Sequence, residues 1–411
     1  MLNNKSFTDI ILKNKINIKM LILRVLTILS KVILVLIITK KGSLYIQGEL
    51  TLIITTIAII NLLTGLETHN IVNRELVGKK LQSKHFSEVF SNHLSGIFLV
   101  NIGFAIIILP FFYDRIFYYI LIVVITICDH VNQEVFRALI SVNKQLMAYF
   151  LNFLRQGTWA FIATGLFYFD IIDVSVNATL GLWAIFTSLT VFVFLVIYPQ
   201  ILFKVKFRKE KFINNIYNSR WLFLCLIPFK IIELSDRYFI EYFIGSVTLG
   251  TYSLLYQVIN AMNILIFTVI ISNEYANLTL LAKTKTFHDL LLVLSKINVT
   301  IKKIYLYASP CAIIGVIIIF YILNIELNYS HIITIFILLL SSYLFNIALI
   351  RRIVYIGRNM FKDLFLITLL SSAVFLSLNF ILVPMTGIMG ASFSQLSAFY
   401  IFYLKSKNVL R

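Results

Sequence analysis

The sequence predicts an all-α polytopic membrane protein of about twelve transmembrane helices in two six-helix lobes, with both termini cytoplasmic. Three observations carry this. Hydrophobic residues make up 60% of the 411 positions and charged residues only 13%, whereas a soluble globular chain carries about 25% charged residues. Apolar runs close to the roughly 20 residues that a bilayer requires recur along the whole chain. The basic residues gather in alternate connections, which sets a topology rather than a charged surface.

The first helix is expected over Met20–Thr39, behind a short basic leader. That run contains Arg24 and Lys31 and has no small-residue cleavage site, so it reads as a retained span rather than a signal peptide. After a short loop at Lys40–Glu49, Leu50–Gly65 gives the second span, closed by Glu67, His69, Asn70 and Arg74. The third is expected over His93–Tyr113, the fourth over Phe117–Ile140, the fifth over Tyr149–Phe169 and the sixth over Thr179–Tyr198. A long, basic, apolar-poor stretch follows, and residues 203–220 read as a cytoplasmic linker between an N-terminal lobe, 1–202, and a C-terminal lobe, 221–411. The second lobe repeats the plan, with spans expected at Trp221–Ile244, Leu249–Ser272, Ile304–Leu323, His331–Ile350, Phe361–Val383 and Ile388–Leu404.

Orientation follows from the lysines and arginines. One side of the plan holds Lys5, Lys79, Lys80, Lys204, Arg208, Lys283, Arg351, Lys405 and Arg411, among others, and the opposite side only Lys40, Lys41 and Arg115. The net charge of +18 is therefore topological and argues against nucleic acid as a partner. Cys128, Cys225 and Cys311 are scattered singly in apolar runs and read as packing residues. His130 has no second ligand at metal spacing, so neither a metal nor a cofactor is implied. The chain has no phosphate-binding GxxxxGK[ST] loop and no room for a nucleotide-binding domain.

Charges inside the apolar segments carry the functional reading, because each costs at least about 2.5 kcal/mol unless it faces protein or water. Pro228–Tyr252 holds Lys230, Glu233, Asp236, Arg237 and Glu241. At helical period Lys230, Glu233, Arg237 and Glu241 share a face, and Glu233 to Arg237 has the favourable i,i+4 order, which also permits a self-neutralising ladder that only aligns helices. In the fourth segment Asp129, His130, Gln133, Glu134 and Arg137 fall within an arc of about 140°. Arg24 and Lys31 lie on one face of the first helix, which has no acid to match them. Arg24 is close enough to the end to reach headgroups, but Lys31 is near the midplane. Lys31 and Lys230 stand about ten residues into the first helix of each half, as expected for a cavity between repeats. With Arg24, Arg137, Arg155 and Arg237 they predict a cationic lining suited to an oxygen-rich anion such as a phosphate or pyrophosphate. Asp129, His130, Glu233 and Asp236 are the candidates for proton coupling.

Four stretches bear a family resemblance: Ser235–Met262, SDRYFIEYFIGSVTLGTYSLLYQVINAM; Gln133–Trp159, QEVFRALISVNKQLMAYFLNFLRQGTW; Gly65–Lys80, GLETHNIVNRELVGKK; and Gly387–Leu404, GIMGASFSQLSAFYIFYL. With the twelve-span plan they resemble the bacterial O-antigen and capsule repeat-unit flippases of the Wzx family, in the superfamily that includes MATE multidrug extruders. The resemblance implies a MATE-like fold in the bacterial cytoplasmic membrane. It also implies alternating-access movement of undecaprenyl-pyrophosphate-linked oligosaccharide from the inner to the outer leaflet. The implied partners are that lipid, the bilayer, and a polysaccharide polymerase and chain-length regulator of the same pathway. Tyr238, Tyr242, Tyr252, Tyr256 and Trp159 are then expected to stack on sugar rings. The alternatives are an ion-coupled MATE-type small-molecule antiporter, which would need an acidic cavity, and an integral membrane polymerase or acyltransferase, which would need a long outer loop with catalytic residues.

Overall fold

The computed structural model describes residues 7–109, 116–199, 207–267, 270, 274, 278–282 and 287–407, with side chains described from residue 18 onward except at 287–288. Among these residues the secondary structure is helical, with no strand. Nine of the described helices are long and apolar enough to cross a bilayer. The expected end of the third span at Tyr113, the end of the eighth at Ser272, and Lys5, Arg115, Lys204, Lys206, Lys283, Lys285 and Arg411 lie outside the described residues.

The chain divides into two compact units, Met1–Lys41 with Thr56–Arg220 and Gly42–Thr55 with Trp221–Arg411. In the first, α1 (Phe7–Ile37) runs into a π-helical turn, Ile38–Gly42, and α2 (Leu44–Gly65) starts two residues later. The expected loop at Lys40–Glu49 is thus largely helical. A chain in lipid keeps its backbone groups paired, and a π turn absorbs an extra residue without freeing them. A short α3 (His69–Leu76) and then α4 (Lys84–Ile108) and α5 (Ile116–Ser141) follow. The α2–α3 corner uses positive φ at Leu66 and Glu67, and the Ser219 hydroxyl donates to Leu66 O at 2.8 Å. The expected fifth span is a composite rod of α6 (Gln145–Phe153), a π-helical turn at Leu154–Thr158 and α7 (Trp159–Tyr168). Next comes α8 (Val176–Ile197), capped by Ser175, whose hydroxyl accepts from Ala178 N. It shows the inverted burial that lipid demands: Ile185, Leu189, Phe192 and Val196 form an exposed apolar stripe, while Ala184, Thr187, Thr190 and Phe194 are buried. The unit's core gathers Phe86, Phe90, Leu139 and Phe194.

The segment expected as a linker is helical from Lys209, where α9 (Lys209–Leu234) begins. Its basic opening is held to the first unit: the Arg208 N–H donates to Asn92 Oδ1 at 2.5 Å, and Lys211 pairs with Glu75 at 2.7 Å. In the second unit α9 ends at Leu234, and α10 (Asp236–Phe243) starts a fresh helix after Ser235. The expected seventh span is therefore two helices rather than one. The remaining helices are α11 (Ser246–Ile266), α12 (Phe287–Ile322), α13 (Tyr329–Gly357), α14 (Phe361–Thr386) and α15 (Ile388–Lys407). The ninth element is longer than the expected Ile304–Leu323, because Phe287–Thr300 continues the same helix. Helix α13 packs along α15, and α14 packs along α15 as well, over a core that includes Phe229, Phe375, Phe399 and Phe402. The first half of α2 belongs to this unit and meets α11 at glycines.

Candidate functional site

In the first unit the polar face of α5 separates into two networks, because successive side chains about 100° apart meet different neighbours. Asp129 faces the composite rod. Its Oδ1 lies 3.3 Å from Arg155 Nη1, and its Oδ2 accepts from Gln133 at 2.7 Å and from Asn61 at 3.2 Å. Arg155 also donates to Asp129 O at 3.3 Å and to Asn152 Oδ1 at 3.0 Å. Both members of the pair are largely buried, so each holds the other's charge inside the unit. The π turn matters here. It presents Arg155 to α5 and its neighbour Gln156 to α1, where Gln156 Oε1 accepts from Lys31 Nζ at 2.9 Å.

Lys31 is exposed, and no carboxylate oxygen stands within 4 Å of its ammonium among the described residues. Arg24, two turns earlier, lies within electrostatic range of Tyr149 and Arg155. Its Nε is buried with no hydrogen-bond partner, as is that of Arg155. Arg24, Lys31 and Arg155 therefore converge on one patch of α1 and the composite rod, with Asp129 as the acid within range.

The second network lies toward α2, α3 and α4. Glu134, 2% exposed, accepts from His93 Nε2 at 2.8 Å and pairs with Arg137, while His130 Nε2 stands 4.0 Å away. His130 Nδ1 lies 3.1 Å from Thr64 Oγ1 and 3.0 Å from Asn101 Nδ2. Gly65 approaches the same ring closely, since a Cβ there would stand 3.1 Å from His130 Nε2. His69 opens α3 beside this network, outside the membrane-spanning helices. Burial, then the Arg137 guanidinium, push its imidazole down to about 4, against the pull of Glu67 and Glu134. The sign follows directly: the unfolded chain binds a proton there at higher pH than the folded one. Stability from a neutral His69 is full above about pH 6.5 and is lost as the pH falls toward 4. A melting series in lipid nanodiscs is expected to fall across that window, and His69→Gln to flatten it. An unchanged slope in His69→Gln would remove His69 as the cause.

The second unit corrects the expected ladder on Pro228–Tyr252. Glu233 pairs with Lys230 at 2.7 Å rather than with Arg237, because the break at Ser235 interrupts the helical register between them. Arg237, 9% exposed, donates to Thr55 Oγ1 at 3.4 Å and sits over the Tyr256 ring at 4.6 Å. Asp236 is fully buried, bonded by Tyr252 OH at 2.6 Å and by the Arg237 N–H at 2.9 Å. Glu241 accepts from Ser246 at 2.6 Å. A narrow cavity of about 10 Å³, no more than water-sized, lies beside this helix, lined by Glu233, Tyr256, Asn263, Ser342 and Gln395.

These placements sort the expected site residues. Arg155, Arg137 and Lys230 are neutralised by Asp129, Glu134 and Glu233, whereas Lys31 and Arg24 are not paired with an acid among the described residues. Tyr252 and Trp159 are not free to stack on sugars: Tyr252 is fully buried on Asp236, and Trp159 stacks on Trp183 at 5.8 Å. Tyr242 is exposed. Gln156, Asn61, Asn101 and His93 join the two networks without a signal of their own in the sequence. Among the described residues no group of three or more His, Cys, Asp or Glu side chains is arranged to hold a metal ion.

No protein-family model matches the chain, and no curated protein sequence is significantly similar to it. The fold is that of MATE-type transporters of the MOP superfamily. The chain is similar to an inward-facing multidrug-resistance MATE transporter, with TM-score 0.70, 12% identity and 96% of this chain and 98% of that one covered. It is similar to the lipid II flippase MurJ in an inward closed conformation, with TM-score 0.69, 14% identity and coverage of 96% and 87%. A third likeness is to a MOP-superfamily transporter from Pyrococcus furiosus whose reversed pocket polarity suggests a different function, with TM-score 0.62, 12% identity and coverage of 96% and 94%.

Proposed function

We propose that the chain is a flippase that moves undecaprenyl-pyrophosphate-linked oligosaccharide from the inner to the outer leaflet of a bacterial cytoplasmic membrane by alternating access, for O-antigen or capsule synthesis. The observation that carries this is Lys31: an exposed ammonium near the middle of an apolar helix, bonded to an amide rather than an acid, with Arg24 and Arg155 beside it. A cation kept unmatched at that depth calls for an anionic guest. A pyrophosphate supplies several acceptor oxygens to a lysine and two arginines, and the lipid tail can remain in the bilayer. The likeness to both a multidrug transporter and a lipid II flippase leaves the sign of the site to separate the two activities, and in the patch around Lys31 the groups not paired with an acid are bases.

The test uses the full chain in proteoliposomes with a fluorescent undecaprenyl-pyrophosphate oligosaccharide. Time-dependent movement of the labelled lipid across the bilayer, dependent on the protein, is the expected result. Failure with several glycans, together with export of a small organic cation such as ethidium, would put a MATE-type antiporter in its place.

A further inference from the structure

The cationic patch of the first unit leaves one buried titratable side chain without a task. His93 on α4 is 1% exposed, and its Nε2 lies 2.8 Å from Glu134 Oε2. An ionised carboxylate only accepts, so Nε2 carries the hydrogen. The other nitrogen, Nδ1, is buried and meets no hydrogen-bond partner. The ring is thus fixed by one nitrogen with the second position open to a proton. His130 differs in this respect. The Asn101 amide nitrogen, which also donates to Ile97 O at 2.9 Å, reaches His130 Nδ1 at 3.0 Å and occupies its lone pair. The third histidine, His69, is held neutral by burial and by Arg137.

The charged and titratable groups that face His93 come from three directions. Helix α5 contributes Glu134 and His130, and α3 contributes His69, while Arg137, Asp129 and Glu67 act on those three groups. From the segment entering α9, Arg208 is held to the neighbouring Asn92 through its backbone, and Lys211 is paired with Glu75. Within this set Glu134 is the shared partner. His93 takes one of its oxygens and Arg137 the other.

We propose that His93 takes up a proton at Nδ1 and thereby releases Arg137 from Glu134 to bind an anion. With His93 neutral, the Arg137 guanidinium is the charge that matches Glu134. When Nδ1 gains a proton from water, the imidazolium matches the same carboxylate through Oε2, and one positive charge is in excess. The excess falls on Arg137, whose side chain is 35% exposed while those of His93 and Glu134 are 1% and 2% exposed. No covalent bond other than N–H forms or breaks, and deprotonation returns Arg137 to Glu134. The inference rests on the flippase reading only in taking the natural anion to be the substrate pyrophosphate. It adds a proton-linked anion site one network away from Lys31.

The experiment uses the full chain in lipid nanodiscs without substrate and takes sulfate as the probe, because its charge is constant over the working range. Sulfate affinity is measured from about pH 7.5 to about pH 5.5 alongside nitrogen NMR of labelled histidine. Affinity is expected to rise about tenfold on acidification. The His93 resonance, identified by its loss in His93→Gln, should move over the same interval with Nε2 protonated throughout. His93→Gln keeps a donor for Glu134 and should make sulfate binding independent of pH, and Arg137→Gln should remove the pH-dependent component while leaving any binding at the Lys31 patch. A His93 resonance that holds one protonation state throughout overturns the proposal. So does pH-dependent sulfate binding that survives in His93→Gln or in Arg137→Gln. Should His93→Gln fail to fold, assignment by elimination among the six histidines leaves the titration itself decisive. Neither readout uses a lipid-linked glycan, so a failed flippase assay and a failed proton site remain separate results.

Discussion

Lys31→Ala is expected to lower movement of the labelled lipid-linked oligosaccharide at least about tenfold while leaving the folded yield unchanged. The two halves of that expectation have different origins. Structurally, Lys31 is exposed and makes one hydrogen bond, to Gln156 Oε1 at 2.9 Å. Its loss leaves the half-buried Gln156 amide without that one bond, and changes at exposed positions away from the packed core fall within about 0.5 kcal/mol. Functionally, a hydrogen bond between charged groups contributes about 1.5–3 kcal/mol, which corresponds to roughly a tenfold to a hundredfold change. Lys31→Arg should retain most of the activity, and Lys31→Glu should lose more than the alanine variant, since it reverses the sign beside Asp129. Initial rates in proteoliposomes, normalised to folded protein by size-exclusion profile, check the series. Lys31→Ala moving the lipid at the rate of the intact chain would detach the ammonium from the substrate.

The largest expected effect on stability lies in the second unit, at Gly250→Ala. A Cβ at Gly250 would stand 2.1 Å from Leu44 O, and one at Gly48 would stand 2.0 Å from Ser246 O. Both obstacles are backbone carbonyls, so no rotamer change can relieve them. Ser246 and Gly250 form a small-xxx-small pair on α11 against Gly48 on α2, and without a hydrophobic drive between helices in lipid this close backbone approach is what holds them. The adjoining Gln47, whose amide donates to Ser253 Oγ at 3.1 Å, depends on the same spacing. Gly250→Ala should therefore cost about 3 kcal/mol, at the upper end of overpacking penalties, and Gly48→Ala a similar amount. Gly315→Ala on α12 is the control. A Cβ there meets nothing within 4 Å, and the exchange should be neutral or stabilise by up to about 1 kcal/mol. Thermal melts followed by fluorescence-detected size exclusion separate the three, and a Gly250→Ala protein that melts with the Gly315→Ala control would refute the close contact.

Some of the site was readable in advance for a simple reason. Charges are so costly in an apolar segment that their positions alone carry information. Lys31 stood out because nothing on its own helix matched it, and in the structure its ammonium meets an amide and no acid within 4 Å among the described residues. The polar face of α5 was equally visible at helical period, since periodicity depends only on the local backbone. His93 was not, because a lone histidine carries no pattern and its partner Glu134 is 41 residues away. The expected pairing of Glu233 with Arg237 failed because an i,i+4 argument assumes an unbroken helix, and the break at Ser235 is not written in any proline or glycine at that position.

Composition and hydropathy by themselves determined an all-helical membrane protein and roughly where its helices run, because the bilayer imposes length, apolarity and backbone pairing on each segment separately. The tertiary structure decided what those segments share. It gave the first half of α2 to the second unit and let the π turn at Leu154–Thr158 aim Arg155 at Asp129 and Gln156 at Lys31. It split one polar face of α5 into two networks. These outcomes depend on contacts between residues distant in the chain, whose geometry is fixed by packing that no local periodicity encodes.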